Sequence, residues 1–136
     1  MSLVKDIYQT ELVRLQQDDT IVHAVEQLQK AGVSGAAVFH QQQLVGFLSE
    51  QDCLGSMLHA SYFCSTENKI QDVMTKKVIS VKLTDSLIDA AMIFNNLALH
   101  QLPVLDHDNQ VVGMLYRHQV VKALVGQLQQ CYKAAS

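Results

Sequence analysis

Proline is all but absent from this 136-residue chain, which has one, Pro103, and only six glycines. So little chain-breaking material leaves no room for a long flexible linker. Tryptophan is missing, and aromatic residues make up 6%. The three cysteines, Cys53, Cys64 and Cys131, are odd in number and far apart, with no Cys-x-x-Cys pair. That argues against a disulfide framework and against a cysteine zinc site, and fits a reducing cytoplasm. Ten basic residues are scattered among thirteen acidic ones, for a net charge of −3. No basic stripe offers itself to nucleic acid. No apolar run approaches the ~20 residues that span a membrane. The start, Met1-Ser2-Leu3-Val4-Lys5, lacks the apolar run of a signal peptide. What is abundant is apolar residues, 49% of the chain, enough for the core of one ordinary domain or two very small ones.

Those residues repeat. Asp6-Ile7, then the apolar stretch Leu12-Val13-x-Leu15, matches Asp72-Val73, then Val78-Ile79-x-Val81, at an offset of 66. At the same offset Ile21, Ala24, Val25 and Leu28 match Leu87, Ala90, Ala91 and Phe94. Both sets fall at i, i+3, i+4, i+7, the core face of an amphipathic helix. Thr20 and Ser86 precede them as helix N-caps. Val38-Phe39 matches Val104-Leu105. The turn His107 to Gln110 is one residue longer than Gln41 to Gln43, so Val45-Gly46-Phe47-Leu48 matches Val112-Gly113-Met114-Leu115 at an offset of 67. The turn chemistry predicts that the second and third strands of each copy are antiparallel neighbours. The expected fold is α/β: two tandem β-α-β-β-α repeats, residues 4–62 and 70–130. A unit of this size buries little core alone, so the two are expected to pack sheet to sheet about a pseudo-two-fold axis. The expected linker is Tyr62 to Asn68.

The stretch from Val45 to Asp52 stands out. A strand runs straight into a helix expected from about Glu50 to Ala60, with Ser49 at the junction and Asp52 three residues on. Such a junction gathers free backbone N–H groups and the positive end of a helix dipole, a ready anion site. A hydroxyl there can hold a phosphate, and a carboxylate one turn on can accept from ribose hydroxyls. The same two residues also spell a capping box, which does no more than finish the helix. The second copy has Tyr116 and Gln119 at these places, so the hydroxyl and the charge are lost there.

These elements together resemble the paired cystathionine-β-synthase (CBS) domain module. The residues that carry the resemblance are Asp72-Val73-Met74-Thr75, Asp85-Ser86-Leu87-x-x-Ala90, Leu102-Pro103-Val104-Leu105-Asp106, Val112-Gly113-Met114-Leu115, and Val45-Gly46-Phe47-Leu48-Ser49-x-x-Asp52. They span about Val4 to Leu128. The resemblance implies a non-catalytic module that binds an adenosine-type ligand, such as AMP, ADP, ATP or S-adenosylmethionine, in clefts between repeats. It needs no other cofactor and acts on an unidentified regulated protein. It implies that Ser49 and Asp52 contact phosphate and ribose, with Ser34-Gly35-Ala36 and Leu12-Val13 flanking the base. In the second copy His100, Pro103, Tyr116, Arg117 and Gln119 occupy the matching region, and Arg117 offers charge to a phosphate. The other reading is a dimerisation or partner-binding module without a nucleotide.

Other chemistry finds less support. The six histidines form no i, i+4 pair and no cluster with cysteine, so no metal site is expected. No Gly-x-Ser-x-Gly elbow and no placed base accompany Ser49, so no catalytic residues are assigned. Cys53 lies in the first helical turn, where a dipole lowers thiol pKa values, but its counterpart is Val120 and a small core residue is the expectation. The helix from Leu87 to Leu99 adds Ile88, Met92 and Ile93 off its core face. The closing helix, from about Arg117 to Cys131, adds Val121 and Leu124. A helix apolar on more than one side is buried on more than one side. A homodimer is expected, with Ile88, Met92, Val121 and Leu124 at its interface.

Overall fold

A computed structural model describes residues 2–63 and 68–135. The first repeat comprises β1 (Arg14–Gln16), α1 (Ile21–Ala31), β2 (Gly35–His40), β3 (Gln43–Ser49) and α2 (Glu50–Phe63). After a short helix, α3 (Ile70–Val73), the second comprises β4 (Val81–Lys82), α4 (Leu87–Asn96), β5 (Gln101–Leu105), β6 (Val111–Tyr116) and α5 (Arg117–Ala135). A 3-10 turn at Val4–Asp6 precedes β1. Each repeat makes a three-stranded sheet, in the orders β1-β2-β3 and β4-β5-β6. In each, the first pairing is parallel and the second antiparallel, as the turn chemistry requires. The α/β class and the two tandem repeats stand. Of the expected linker, Tyr62 and Phe63 belong to α2, and residues 64–67 lie outside the described ones.

Local chemistry accounts for most boundaries. Thr20 Oγ1 accepts from His23 N–H and Ser86 Oγ from Asp89 N–H, so both predicted N-caps act as caps. Gly32, at a φ of +68°, closes α1. The opening strands are shorter than their apolar stretches and lie later. Leu12-Val13 precedes β1, and Val78-Ile79 precedes β4. Strand β4 also begins one residue later than β1. Arg14 pairs with Ala37, so its counterpart Ser80 would face Pro103, which has no N–H for the ladder. Helix α4 ends at Asn96 rather than Leu99, whereas α2 and α5 run past Ala60 and Cys131.

The main departure from the linear repeat is in what packs with what. One compact unit runs over Leu12–Val78; the other joins the residues up to Glu11 to those from Ile79 onward. Each copy's opening segment is thus held by the other copy's sheet. The bonds are equivalent in the two units. Ile70 N–H donates to the Asp19 carbonyl and Gln71 N–H to that of Gln17; Val4 N–H donates to Asp85 and Lys5 N–H to Leu83. Phe47 and Thr75 exchange backbone hydrogen bonds of 2.9 Å, and Gln9 and Met114 exchange bonds of 2.9 and 2.8 Å. Ile70 is buried with Leu15, Ile21, Leu28 and Leu48, and Val4 with Val81, Leu87, Leu102 and Leu115. Glycine permits the close approach. A Cβ on Gly46 would meet the Met74 side chain and the Thr75 carbonyl, and one on Gly113 the Gln9 carbonyl and the Tyr8 ring.

Candidate functional site

Strand β3 ends at Ser49 and α2 begins at Glu50 with no intervening loop. The junction is closed by a reciprocal pair of bonds. Asp52 N–H donates to Ser49 Oγ at 3.2 Å, and Ser49 N–H donates to Asp52 Oδ2 at 3.1 Å. This is the capping box that the Ser-x-x-Asp spacing spells. It spends only part of each side chain. A hydroxyl that accepts one bond still has a proton to donate, and a carboxylate bonded through Oδ2 still offers Oδ1. Both side chains are half-buried. Capping and ligand contact therefore use different lone pairs and protons of the same two residues.

Strand β2 lies alongside. Gly35 pairs with Ser49, and the Ser34 carbonyl accepts from Glu50 N–H at 2.8 Å. Ser34, Gly35, Ser49 and Asp52 thus meet at one end of the sheet. Ala36 pairs with Leu48 and its side chain is in the core, which leaves its backbone as its contribution to any site. Leu12 and Val13 enter the sheet at the same end, because β1 runs parallel to β2. Val13 packs against the core.

The matching junction of the second repeat is built differently. Tyr116 N–H donates to Gln119 Oε1 at 2.8 Å and Arg117 N–H to the His100 carbonyl at 2.9 Å. The backbone path is the same as in the first repeat, but a tyrosine cannot return the bond that Ser49 gives. Tyr116 stacks on His118, with ring centroids 5.6 Å apart, and desolvation raises its phenol pKa. Arg117 is exposed. Pro103 is buried in β5 opposite Met114, away from the helix start. Sequence reasoning missed Gln101. It is buried beside Tyr116, and its Oε1 has no hydrogen-bond partner among the described residues. Its counterpart is Gly35, and a polar residue opening a strand gave no signal of burial.

Cys53 is buried in the core, and its thiol is pushed up to about 11, chiefly by desolvation and then by the Asp52 and Glu50 carboxylates. That is the reverse of activation by a helix dipole. Among the described residues no three His, Cys, Asp or Glu side chains gather as metal ligands, and no helix is long and apolar enough to cross a membrane. Ile88, Met92 and Val121 are exposed, and Leu124 is half-buried and packs against its own core.

The CBS domain model matches residues 4–59 and 70–126, and the chain belongs to that family. The crystal structure of CBSX2 in complex with AMP is similar over 95% of this chain and 99% of that one, at 26% identity and a TM-score of 0.80. The CBS domain pair of protein MJ0100, in complex with 5′-methylthioadenosine and S-adenosyl-L-methionine, shares the fold at 20% identity and a TM-score of 0.80, over 93% of this chain and 98% of that one. An uncharacterized protein of Methanocaldococcus jannaschii is 29% identical over 94 residues, 69% of this chain and 30% of that protein. The chain spans under half the length of the first curated relatives it matches, 30% of this one and 45% of a second. It consists of a pair of CBS domains.

Proposed function

We propose that this chain is a non-catalytic, cytoplasmic regulatory module that binds an adenosine nucleotide of the AMP, ADP or ATP class at the Ser49–Asp52 junction. It signals through a homodimer to a regulated protein. The observation that carries the reading is the partly engaged capping box. Ser49 Oγ retains its proton for a phosphate oxygen, and Asp52 Oδ1 stays open to ribose hydroxyls. Ser34 and Gly35 lie beside them and offer backbone groups to a base. AMP is the ligand of the similar CBSX2, and the open atoms of Ser49 and Asp52 suit it here. In the second repeat Tyr116 and Gln119 offer neither a small hydroxyl nor a charge, so that site binds weakly or not at all.

The experiment is a melting and calorimetry panel with AMP, ADP, ATP, NAD and S-adenosylmethionine. A ligand that binds only the folded state stabilises it by about 2.7 kcal/mol at a hundred times its Kd. One strong site per chain for an adenosine ligand supports the reading. No stabilisation at millimolar ligand overturns it and leaves a second reading, a dimerisation module with no nucleotide. The exposed apolar side chains of α2 and α5 favour that second reading.

A further inference from the structure

Strand β3 is the outer strand of its sheet, and among the described residues its outer edge pairs with Thr75 alone. Thr75 ends the segment Lys69–Thr75, which is pinned elsewhere in the same unit. Ile70 is in the core, and the Ile70 and Gln71 N–H groups donate to the Asp19 and Gln17 carbonyls. The Thr75 bridge falls at Phe47, two residues before Ser49. Side chains alternate along a strand, and partners across an antiparallel pair share a face. Leu48 and its partner Ala36 face the core, so Phe47 faces the other way, with Ser49 and Gly35. The half-buried Phe47 ring lies against Gly35, where an added Cβ would meet it at 2.8 Å. Gly35 in turn pairs with Ser49, and the carbonyl before it holds the first N–H of α2. One residue therefore touches the segment through its backbone and the neighbour of the junction through its ring.

We propose that Phe47 is a positioning residue for the Ser49–Asp52 junction, and that a ligand held there tightens the segment Lys69–Thr75 through it. This rests on the nucleotide reading above and adds what binding does to the chain. When the segment lifts, Phe47 loses both backbone bonds, and the last residues of β3 keep partners on one side only. The ring then loses its seat on Gly35, and Ser49 and Asp52 lose the fixed spacing that lets one ligand meet both. A ligand that needs the closed junction favours the docked segment, and a docked segment favours the ligand to the same degree. The second unit has the same bridge without this relay. Gln9 pairs with Met114, which has no ring, Gln101 stands where Gly35 does, and Tyr116 and Gln119 replace the ligand pair.

Amide hydrogen exchange on the full chain tests this, with circular dichroism as the folding control. The Phe47 and Thr75 N–H groups donate to each other's carbonyls and exchange with solvent when the segment lifts. At AMP a hundred times its Kd their protection rises about a hundredfold, while that of Gln9 and Met114 changes less than about tenfold. Phe47→Leu keeps the strand and removes the ring. It cuts the gain at Thr75 to about tenfold or less and weakens AMP binding, and Phe47→Tyr restores both. Protection that rises equally at all four amides, or that ignores AMP shown by calorimetry to be bound, overturns the coupling and leaves the nucleotide site standing. So does a folded Phe47→Leu variant with the full gain. An absence of AMP binding to the wild type overturns both readings.

Discussion

The two strand-to-helix junctions of this chain share a backbone and differ in chemistry. In each, the first helical N–H is taken by the carbonyl just before the second strand, Ser34 in one repeat and His100 in the other. In each, a side chain three residues into the helix accepts from the junction residue, Asp52 for Ser49 and Gln119 for Tyr116. Only the first pair is reciprocal. The scaffold thus needs an acceptor at the helix third position and tolerates whatever stands at the junction. The hydroxyl and the charge at Ser49 and Asp52 exceed what the backbone requires, as the Tyr116–Gln119 pair demonstrates. Residues that a fold does not need are where ligand chemistry has room to sit.

The largest expected effect lies at the glycines within β3 and β6. Gly113→Ala drives a Cβ into the Gln9 backbone carbonyl and should cost about 3 kcal/mol of stability, while Gly46→Ala meets a Met74 side chain that can swing and should cost about 1–2 kcal/mol. Urea denaturation of both variants decides it; equal losses would mean that the two close approaches are equally rigid. Next in size is the ligand term. Asp52→Ala should weaken AMP binding ten- to a hundredfold, since a bond to a charged acceptor contributes about 1.5–3 kcal/mol, whereas Gln119→Ala should leave the affinity unchanged. Calorimetry giving the same Kd for wild type and Asp52→Ala would remove the site from that junction.

A smaller effect of opposite sign is expected at Gln101. Removing a buried acceptor that has no partner relieves a desolvation cost, so Gln101→Met should raise stability by about 1 kcal/mol, read as a higher urea midpoint. A loss of stability would show that the amide is satisfied in solution. The smallest effect separates Cys53 from its counterpart Val120. A thiol raised to about 11 from 9.0 favours the protonated form in the folded chain. Its contribution is complete below pH 9 and is lost as the pH rises toward 11, because the unfolded chain ionises first. Cys53→Val should flatten the stability profile over that window. An unchanged slope would assign the alkaline decline to other groups.

What the sequence discloses and what it hides divide along one physical line. Periodic apolar faces, the caps at Thr20 and Ser86 and the hairpin turns are local, and they fix the repeats and their element order. The Ser49–Asp52 spacing is local too, and it spells the cap that the structure has. Non-local choices are invisible in a linear pattern. Nothing in Val4 or Ile70 says whose core it fills, and each fills the other repeat's. Burial of Gln101 depends on its surroundings, as does the commitment of Leu124 to its own core. The exposure of Leu54 and Leu58 on α2 depends in the same way on what surrounds the helix.

The crossed opening segments set an order of events during synthesis. A nascent chain made as far as Val78 already contains every residue of one unit, including Ile70 and the Thr75 strand partner of Phe47. The residues up to Glu11, made first, must wait for Leu87, Leu102 and Leu115 before Val4 has a core to enter. Contacts between the earliest and latest parts of a chain are the slowest to close, and domains complete as units while the polypeptide emerges. The leading repeat is therefore finished first, and the trailing repeat is finished by the segment that precedes the leading one.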